Sequence, residues 1–200
     1  MLLETFLLAT LLPLRHSEID GCIRYGYNNN GIIWEDLIMK LSKNFYLKEL
    51  TFSQTAERMG MDNNPSEAEI ENLRLLCERV LQPIRDHFQQ IVSISSGFRN
   101  IILNRKLGSK DNSDHVKAWA VDFEIYGIDN NVVSDWIKEN LMFRQLILEF
   151  YKPGEPNSGW IHVSYCPEIS ENKKEYLMAI KKDGKTEYKQ INLSTDRYVK

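Results

Sequence analysis

Three potential metal donors lie far apart in this sequence: His115, Asp122 and His162. A chain can bring them together only if the segments that carry them lie side by side and point the same way. That requirement constrains the fold more than any other feature. The donors stand in two stretches, Ser113-Asp114-His115-Val116-Lys117-Ala118-Trp119-Ala120-Val121-Asp122 and Trp160-Ile161-His162-Val163-Ser164-Tyr165. Two neutral imidazoles and one carboxylate form a three-ligand set for zinc and leave a fourth tetrahedral position open. Catalytic sites are built this way, whereas structural zinc sites are closed.

The segments around the donors read as strands. Ala120 to Ile125 alternates, with Val121, Phe123 and Ile125 on one face and Ala120, Asp122 and Glu124 on the other. Trp160 to Tyr165 alternates as well and groups His162 with Trp160 and Ser164. Gln145 to Tyr151 gives a third strand, with Leu146, Leu148 and Phe150 on one side and Gln145, Ile147 and Glu149 on the other. Asp122 and His162 therefore share the face away from the apolar side chains. His115 precedes its strand, in a loop able to fold over that face. Ile91 to Ser96 is short and β-branched, a further strand broken by Gly97.

Helices supply the other layer. After the breaker Asn63-Asn64-Pro65, Ser66 and Glu69 fit a capping box. Ile70, Leu73, Cys77, Val80, Leu81, Ile84 and Phe88 then recur at steps of three and four, the apolar face of one long helix that Pro83 kinks or ends. A short helical piece follows Phe98-Arg99-Asn100, and Asp129 caps another with Val132, Val133, Trp136 and Ile137. The pattern predicts an α+β fold: a mainly antiparallel sheet, helices packed on one face, and the zinc site on the open face. The main domain is expected over 45–180. Residues 1–44 read as an extension, with a turn at 25–31 and a short helix at 35–41. The tail at 181–200, with the charges just before it, reads as solvated helix, then turn, then an edge strand at 187–191.

The net charge of −3 is small and lacks the basic footprint of a nucleic-acid binder. Cys22, Cys77 and Cys166 are odd in number and form no CxxC pair, so no disulfide framework is expected, and synthesis in a reducing compartment fits. Leu2 to Leu14 resembles the apolar part of a signal peptide. It lacks a basic leader and carries Glu4, so a packed helix or accessory segment is expected instead. It is also too short to span a bilayer.

Three more residues complete a possible active site. If the turn from Lys152 to Gly159 closes a symmetric hairpin, Glu149 falls roughly opposite His162. There it takes a proton from the attacking water and passes it to the leaving amine. Arg99 follows a strand and a glycine, where it can bind a substrate carboxylate in a fork or stabilise charge on a carbonyl oxygen. Ser113 can hydrogen-bond substrate or orient His115. Singly, each residue has a plainer reading: His162 as a packed strand residue, Asp122 as a buried partner for Arg99, Glu149 and Glu124 as solvent-facing side chains. His16 and His87 have no supporting context and read as surface residues.

Together these residues resemble a known family. Ser113-x-His115-x-x-Ala118-x-Ala120-x-Asp122 is similar to the SxHxxGxAxD motif of the zinc D-alanyl-D-alanine carboxypeptidases. Trp160-x-His162 resembles that family's last zinc-ligand segment, and Ser95-Ser96-Gly97-Phe98-Arg99 its SxGYR segment. Ser53-Gln54-Thr55-Ala56, Asp62-Asn63-Asn64-Pro65, Asn72-Leu73 and Val80-Leu81-Gln82-Pro83-Ile84-Arg85 resemble its phage and bacterial branch. The resemblance covers about 45–180. It implies a small α+β domain shared with van-type D-Ala-D-Ala dipeptidases and the hedgehog signalling domain. It also implies zinc held by His115, Asp122 and His162, with Arg99 and Ser113 on the substrate side.

Two positions depart from the family pattern. Ala118 stands where the motif has glycine. Gly159 stands where many relatives carry the catalytic acid/base, three residues before the last histidine. Either Glu149 supplies that group or it is missing, with Glu155 a weaker substitute. The resulting expectation is a zinc peptidase acting on peptidoglycan stem or cross-bridge peptides, of carboxypeptidase or endopeptidase type. It would be made in the cytoplasm and act on the cell wall, in phage lysis or in the periplasm. The alternative is a zinc-stabilised module of a phage or bacterial particle, without turnover.

Overall fold

The alternating segments form adjacent strands of a six-stranded sheet in the computed structural model, which describes residues 39–191. The strands are β1 (Val92–Ser96), β2 (Ala120–Ile125), β3 (Gln145–Glu149), β4 (Trp160–Ser164), β5 (Glu175–Lys182) and β6 (Lys185–Gln190), in spatial order β1-β2-β4-β3-β5-β6. Every neighbouring pair is antiparallel except β3 with β5. The α+β architecture read from the sequence is the one observed.

Helices α1 (Leu47–Thr51), α2 (Gln54–Met59), α3 (Glu67–Leu76), α4 (Gln82–Phe88), α5 (Ile101–Lys106) and α6 (Asn130–Asn140) complete the fold. The expected caps form: Ser66 Oγ accepts from the Glu69 backbone, and Asp129 accepts from Asn131 N. Between α3 and α4 the helix widens into one π turn, Cys77–Leu81, where Gln82 N donates to Cys77 O. Pro83 explains the widening. It has no N–H to donate, and its ring would strike the carbonyl four residues back. The helix absorbs the proline by widening for one turn instead of ending.

Leu73, Leu76, Cys77, Val80, Leu81 and Ile84 are buried in one core with Val121, Phe123, Leu146, Leu148, Ile161 and Val163. Val133 and Ile137 of α6 join the same core. Cys77 and Cys166 are free and buried, and burial pushes the Cys77 thiol far up, which makes it inert.

Four readings need correction. The packed unit begins before 45: Leu41 is buried, Lys40 bridges to Tyr46, and Arg74 Nη1 donates to Lys40 O. Leu41 is not helical, and most of the expected 35–41 helix lies outside the described residues, as do the apolar N-terminus and the 25–31 turn. The segment from Glu175 is not solvated helix but strand β5, and its hairpin with β6 carries the sheet past 180. Tyr176, Met178 and Ile180 alternate there, and a free edge on β3 outweighs the local charge. The turn at Asp183-Gly184 has positive φ at both residues, as a tight two-residue hairpin requires. Finally, β3 stops at Glu149. Phe150 turns to φ 53° and leaves the core face, with its ring 5.2 Å from that of Trp160.

Candidate metal centre

Register places the donors. Asp122 of β2 pairs with His162 of β4, and the next strand over presents Ile147 opposite His162. Directly paired residues point to the same face, so Asp122 and His162 stand side by side on the open side of the sheet. His115 arrives from a run of tight turns: Val116 N, Lys117 N and Ala118 N each donate three residues back, and Trp119 N donates to Asp114 O. Asn72 of α3 ties this loop down through a bond from its Nδ2 to Lys117 O.

Ala118 sits in the left-handed region at φ 58° and is fully buried. A glycine adopts that conformation without strain, whereas alanine holds it at a cost of about 1–2 kcal/mol. The turn nonetheless closes, with Ala118 N on His115 O at 3.2 Å. The departure from the family glycine therefore removes no ligand.

The three donors converge. His162 Nδ1 lies 2.8 Å and His115 Nε2 3.2 Å from Asp122 Oδ1, and all three ligand atoms fall within 4.8 Å of one another. Two donors on a tetrahedral zinc at about 2.1 Å are about 3.4 Å apart, so the set needs little adjustment to hold an ion. All three residues are buried. His115 Nδ1 donates to Gly97 O at 2.7 Å, which fixes the tautomer and leaves the Nε2 lone pair facing the centre. Burial lowers the pKa of His115, consistent with a neutral imidazole ligand. For Asp122 burial acts upward but is outweighed by His115 and His162, and the carboxyl lies far below its usual range. Burial pulls His162 down, yet its hydrogen bond to Asp122 raises it overall. The donor set fits zinc.

Gly97 matters for a second reason. Its ideal Cβ would lie 2.2 Å from Leu50 O, and Phe98 N donates to that same oxygen at 2.7 Å. Only glycine lets the chain pass beneath α1 while its own carbonyl turns to His115. A bulge in β1 assists: Ile94 pairs with Phe123 but Ser96 with Asp122, so Ser95 is the extra residue and Ser96 joins the ligand face. Asn63 locks the next step. Its Nδ2 donates to Thr51 O and Phe98 O, and its Oδ1 accepts from Asn100 N.

A profile of the peptidase M15 family matches residues 43–164. The chain belongs to the peptidase M15 family. No curated protein matches the chain. The family's activity makes the M15 domain a metallopeptidase, and its buried His-Asp-His group could hold a metal ion. The match ends at Ser164, the last residue of β4, so it takes in both ligand strands but not the β5–β6 hairpin.

Around the donors the M15 domain opens a cavity of about 790 Å³. Arg99, Ser113 and Glu149 all line it. Arg99 Nη2 donates to Asp122 Oδ2 at 2.8 Å, Nε to Ser96 Oγ at 2.8 Å, and Nη1 to Ser109 Oγ at 3.4 Å. Asp122 thus faces the histidines with one oxygen and Arg99 with the other. Ser113 Oγ accepts from His115 N at 3.3 Å, the orienting option.

Glu149 is paired with Trp160, two residues from the expected partner His162. The hairpin is longer on one side because Phe150 leaves the strand. A slip of two residues preserves the face, so Glu149 still stands beside the ligand row, diagonal to His162. Burial, then the Asp122 charge, raises its pKa. Its carboxylate makes no hydrogen bond to the described residues. Glu155 is exposed beside Lys152, away from the cavity.

Gly159 has a geometric explanation. At φ 69° its ideal Cβ would lie 1.8 Å from Glu149 O and 2.7 Å from Phe150 C. The backbone excludes any side chain here, so a carboxylate at 159 is incompatible with this turn. Gly159→Glu is expected to lower Tm by about 6–12 °C, the shift for about 3 kcal/mol in a chain of this size, and to add no activity. A melting curve and an assay on the same preparation would check both.

Sequence reading missed Arg144, which reaches Asp114 from just before β3, and Tyr188 of β6, which lines the cavity. Neither has a local signal. Arg144 lies thirty residues from Asp114, and Tyr188 depends on a hairpin read as tail.

Proposed function

We propose that this protein is a zinc peptidase that hydrolyses peptidoglycan stem or cross-bridge peptides, of carboxypeptidase or endopeptidase type. One observation carries the reading: three convergent donors and one carboxylate with no hydrogen-bond partner among the described residues, Glu149, share one side of the sheet inside one cavity. His115, Asp122 and His162 would hold the metal. Zinc in such a set supplies Lewis-acid polarisation of a carbonyl and makes water acidic near neutral pH.

The chain's own residues do the rest. Glu149 accepts the proton of the attacking water and returns it to the leaving amine, a role suited to a carboxylate whose pKa is raised by burial. Arg99, held at the edge of the donor set by Asp122 and Ser96, favours negative charge developing on the carbonyl oxygen. Ser113 holds the His115 turn. Trp160, paired with Glu149, forms an aromatic rim for the substrate. Such an enzyme would act on the cell wall, in phage lysis or in the periplasm.

Digestion of purified peptidoglycan, with and without a chelator, tests the proposal. The expected result is fragment release that the chelator stops and added zinc restores, and fragment masses that name the bond. His115→Ala should lose both metal and activity. Zinc-loaded protein that releases no fragment would overturn the enzymatic reading and favour a zinc-stabilised module.

A further inference from the structure

We propose that Arg144 binds a carboxylate of the substrate, so that the cavity selects peptides carrying a negative charge on the side of the metal ligands away from Glu149. The inference rests on the peptidase reading above and names its substrate class. The sequence points first to Arg99 for this role, but all three of its guanidinium nitrogens already have partners and its side chain is only 14% exposed.

Arg144 differs on each count. Its one side-chain hydrogen bond among the described residues runs from Nη1 to Asp114 Oδ2 at 2.6 Å. Nε and Nη2 have no hydrogen-bond partner among the described residues, a third of the side chain is exposed, and the residue lines the cavity. Asp114, itself buried, also takes Lys117 Nζ on Oδ1 at 3.2 Å. One carboxylate is thus shared by two cations, which leaves one positive charge over. Lys117 spends its contact surface elsewhere, 4.6 Å above the Trp119 ring. The guanidinium of Arg144 is therefore the cation with a fork to offer, and a fork matches the two oxygens of a carboxylate.

Position and field agree. Along β3, Arg144 lies just before the strand, Ile147 faces His162, and Glu149 comes last. At about 3.3 Å per residue the backbone of Arg144 starts about 10 Å from the ligand row. Its side chain leans back toward that row, because it touches Asp114, the neighbour of His115. A substrate held by Arg144 would therefore cross the donor set with its scissile bond toward Glu149. The cavity walls hold Arg99, Lys110, Lys117 and Arg144 against Asp114, Asp122 and Glu149, a local positive excess in a chain of net charge −3. A carboxylate is drawn to such a wall.

The carboxylate has two possible sources: the C-terminus of the peptide, or an acidic side chain within it. Titration calorimetry on zinc-loaded protein separates them, with cleavage followed by mass analysis of the same samples. The probes are N-acetyl-D-Ala-D-Ala, its C-terminal amide, and N-acetyl-D-Ala-D-Glu with the terminal carboxylate amidated. Wild type should prefer one of the acids to the amide. Arg144→Gln should lose at least about tenfold in affinity for that acid, about 1.4 kcal/mol, and little for the amide. Arg144→Lys should fall between.

Preference for the free C-terminus assigns a carboxypeptidase site, and preference for the side chain an endopeptidase site. Wild type without preference, or Arg144→Gln with the wild-type preference, overturns the proposal. A merely structural Arg144 would lower stability and leave the acid-to-amide ratio unchanged. If Arg144→Gln loses zinc, the decision moves to Arg144→Lys, which keeps the pair with Asp114 but not the fork; an undiminished ratio there is equally fatal. Intact binding without cleavage would count against the peptidase reading alone.

Discussion

Glu149→Gln is expected to lower kcat/KM on the proposed peptidoglycan substrate by about 10²–10⁴-fold, the usual worth of a positioned general base, while zinc stays bound at wild-type stoichiometry. The amide has the shape of the carboxylate but accepts no proton. Glu149 is two residues from the strand position facing His162, on the same face, so it stands near the donors without belonging to them. Three carboxylates line the cavity, and two are committed: Asp114 to Arg144 and Lys117, Asp122 to His162 and Arg99. Gly159 is closed to any side chain. Among the carboxylates that line the cavity, Glu149 is the one left for the proton transfer proposed above. Metal analysis beside steady-state kinetics checks the result. Full turnover by the variant would remove Glu149 from the mechanism, and loss of zinc with activity would make it a ligand instead.

Period-two alternation placed Asp122 and His162 on one polar face, because strand geometry fixes side-chain direction from spacing alone. The same rule kept Glu149 on the correct face even though the hairpin closed two residues away from symmetry. Register itself was not readable. It depends on Phe150 leaving the strand at positive φ and on Gly159 packing under Glu149 O, and both are contacts between segments. The bulge at Ser95 escaped for the same reason. Strand β5 is not legible locally: Lys173, Lys174 and Glu175 have the charge of a solvated segment, and only the edge of β3 makes the alternation of Tyr176, Met178 and Ile180 decisive. Arg144 was invisible: an arginine becomes a site residue when a distant loop brings Asp114 to it.

Gly97→Ala is expected to damage fold and metal site together, which separates it from ordinary destabilising changes. The added methyl meets Leu50 O at 2.2 Å and Leu50 C at 2.9 Å, both backbone atoms of α1 that no rotamer change can move aside. Relief requires α1 and β1 to part. That weakens the bond from Phe98 N to Leu50 O, 2.7 Å long in the native chain. Overpacking of this kind costs about 3 kcal/mol, or about 6–12 °C in Tm at this chain length. The Gly97 carbonyl moves with its backbone, and His115 Nδ1 loses the acceptor that sets its tautomer and ring orientation. Loss of such an outer partner typically lowers metal affinity about 10–100-fold. Competition with a chelator, run well below the melting temperature of the variant, isolates the second effect from the first. A variant that melts early yet holds zinc as tightly as wild type would show that Gly97 serves packing only. Weakened zinc binding in protein that is still fully folded would tie the glycine of the Ser95-Ser96-Gly97-Phe98-Arg99 segment to the ligand 18 residues downstream.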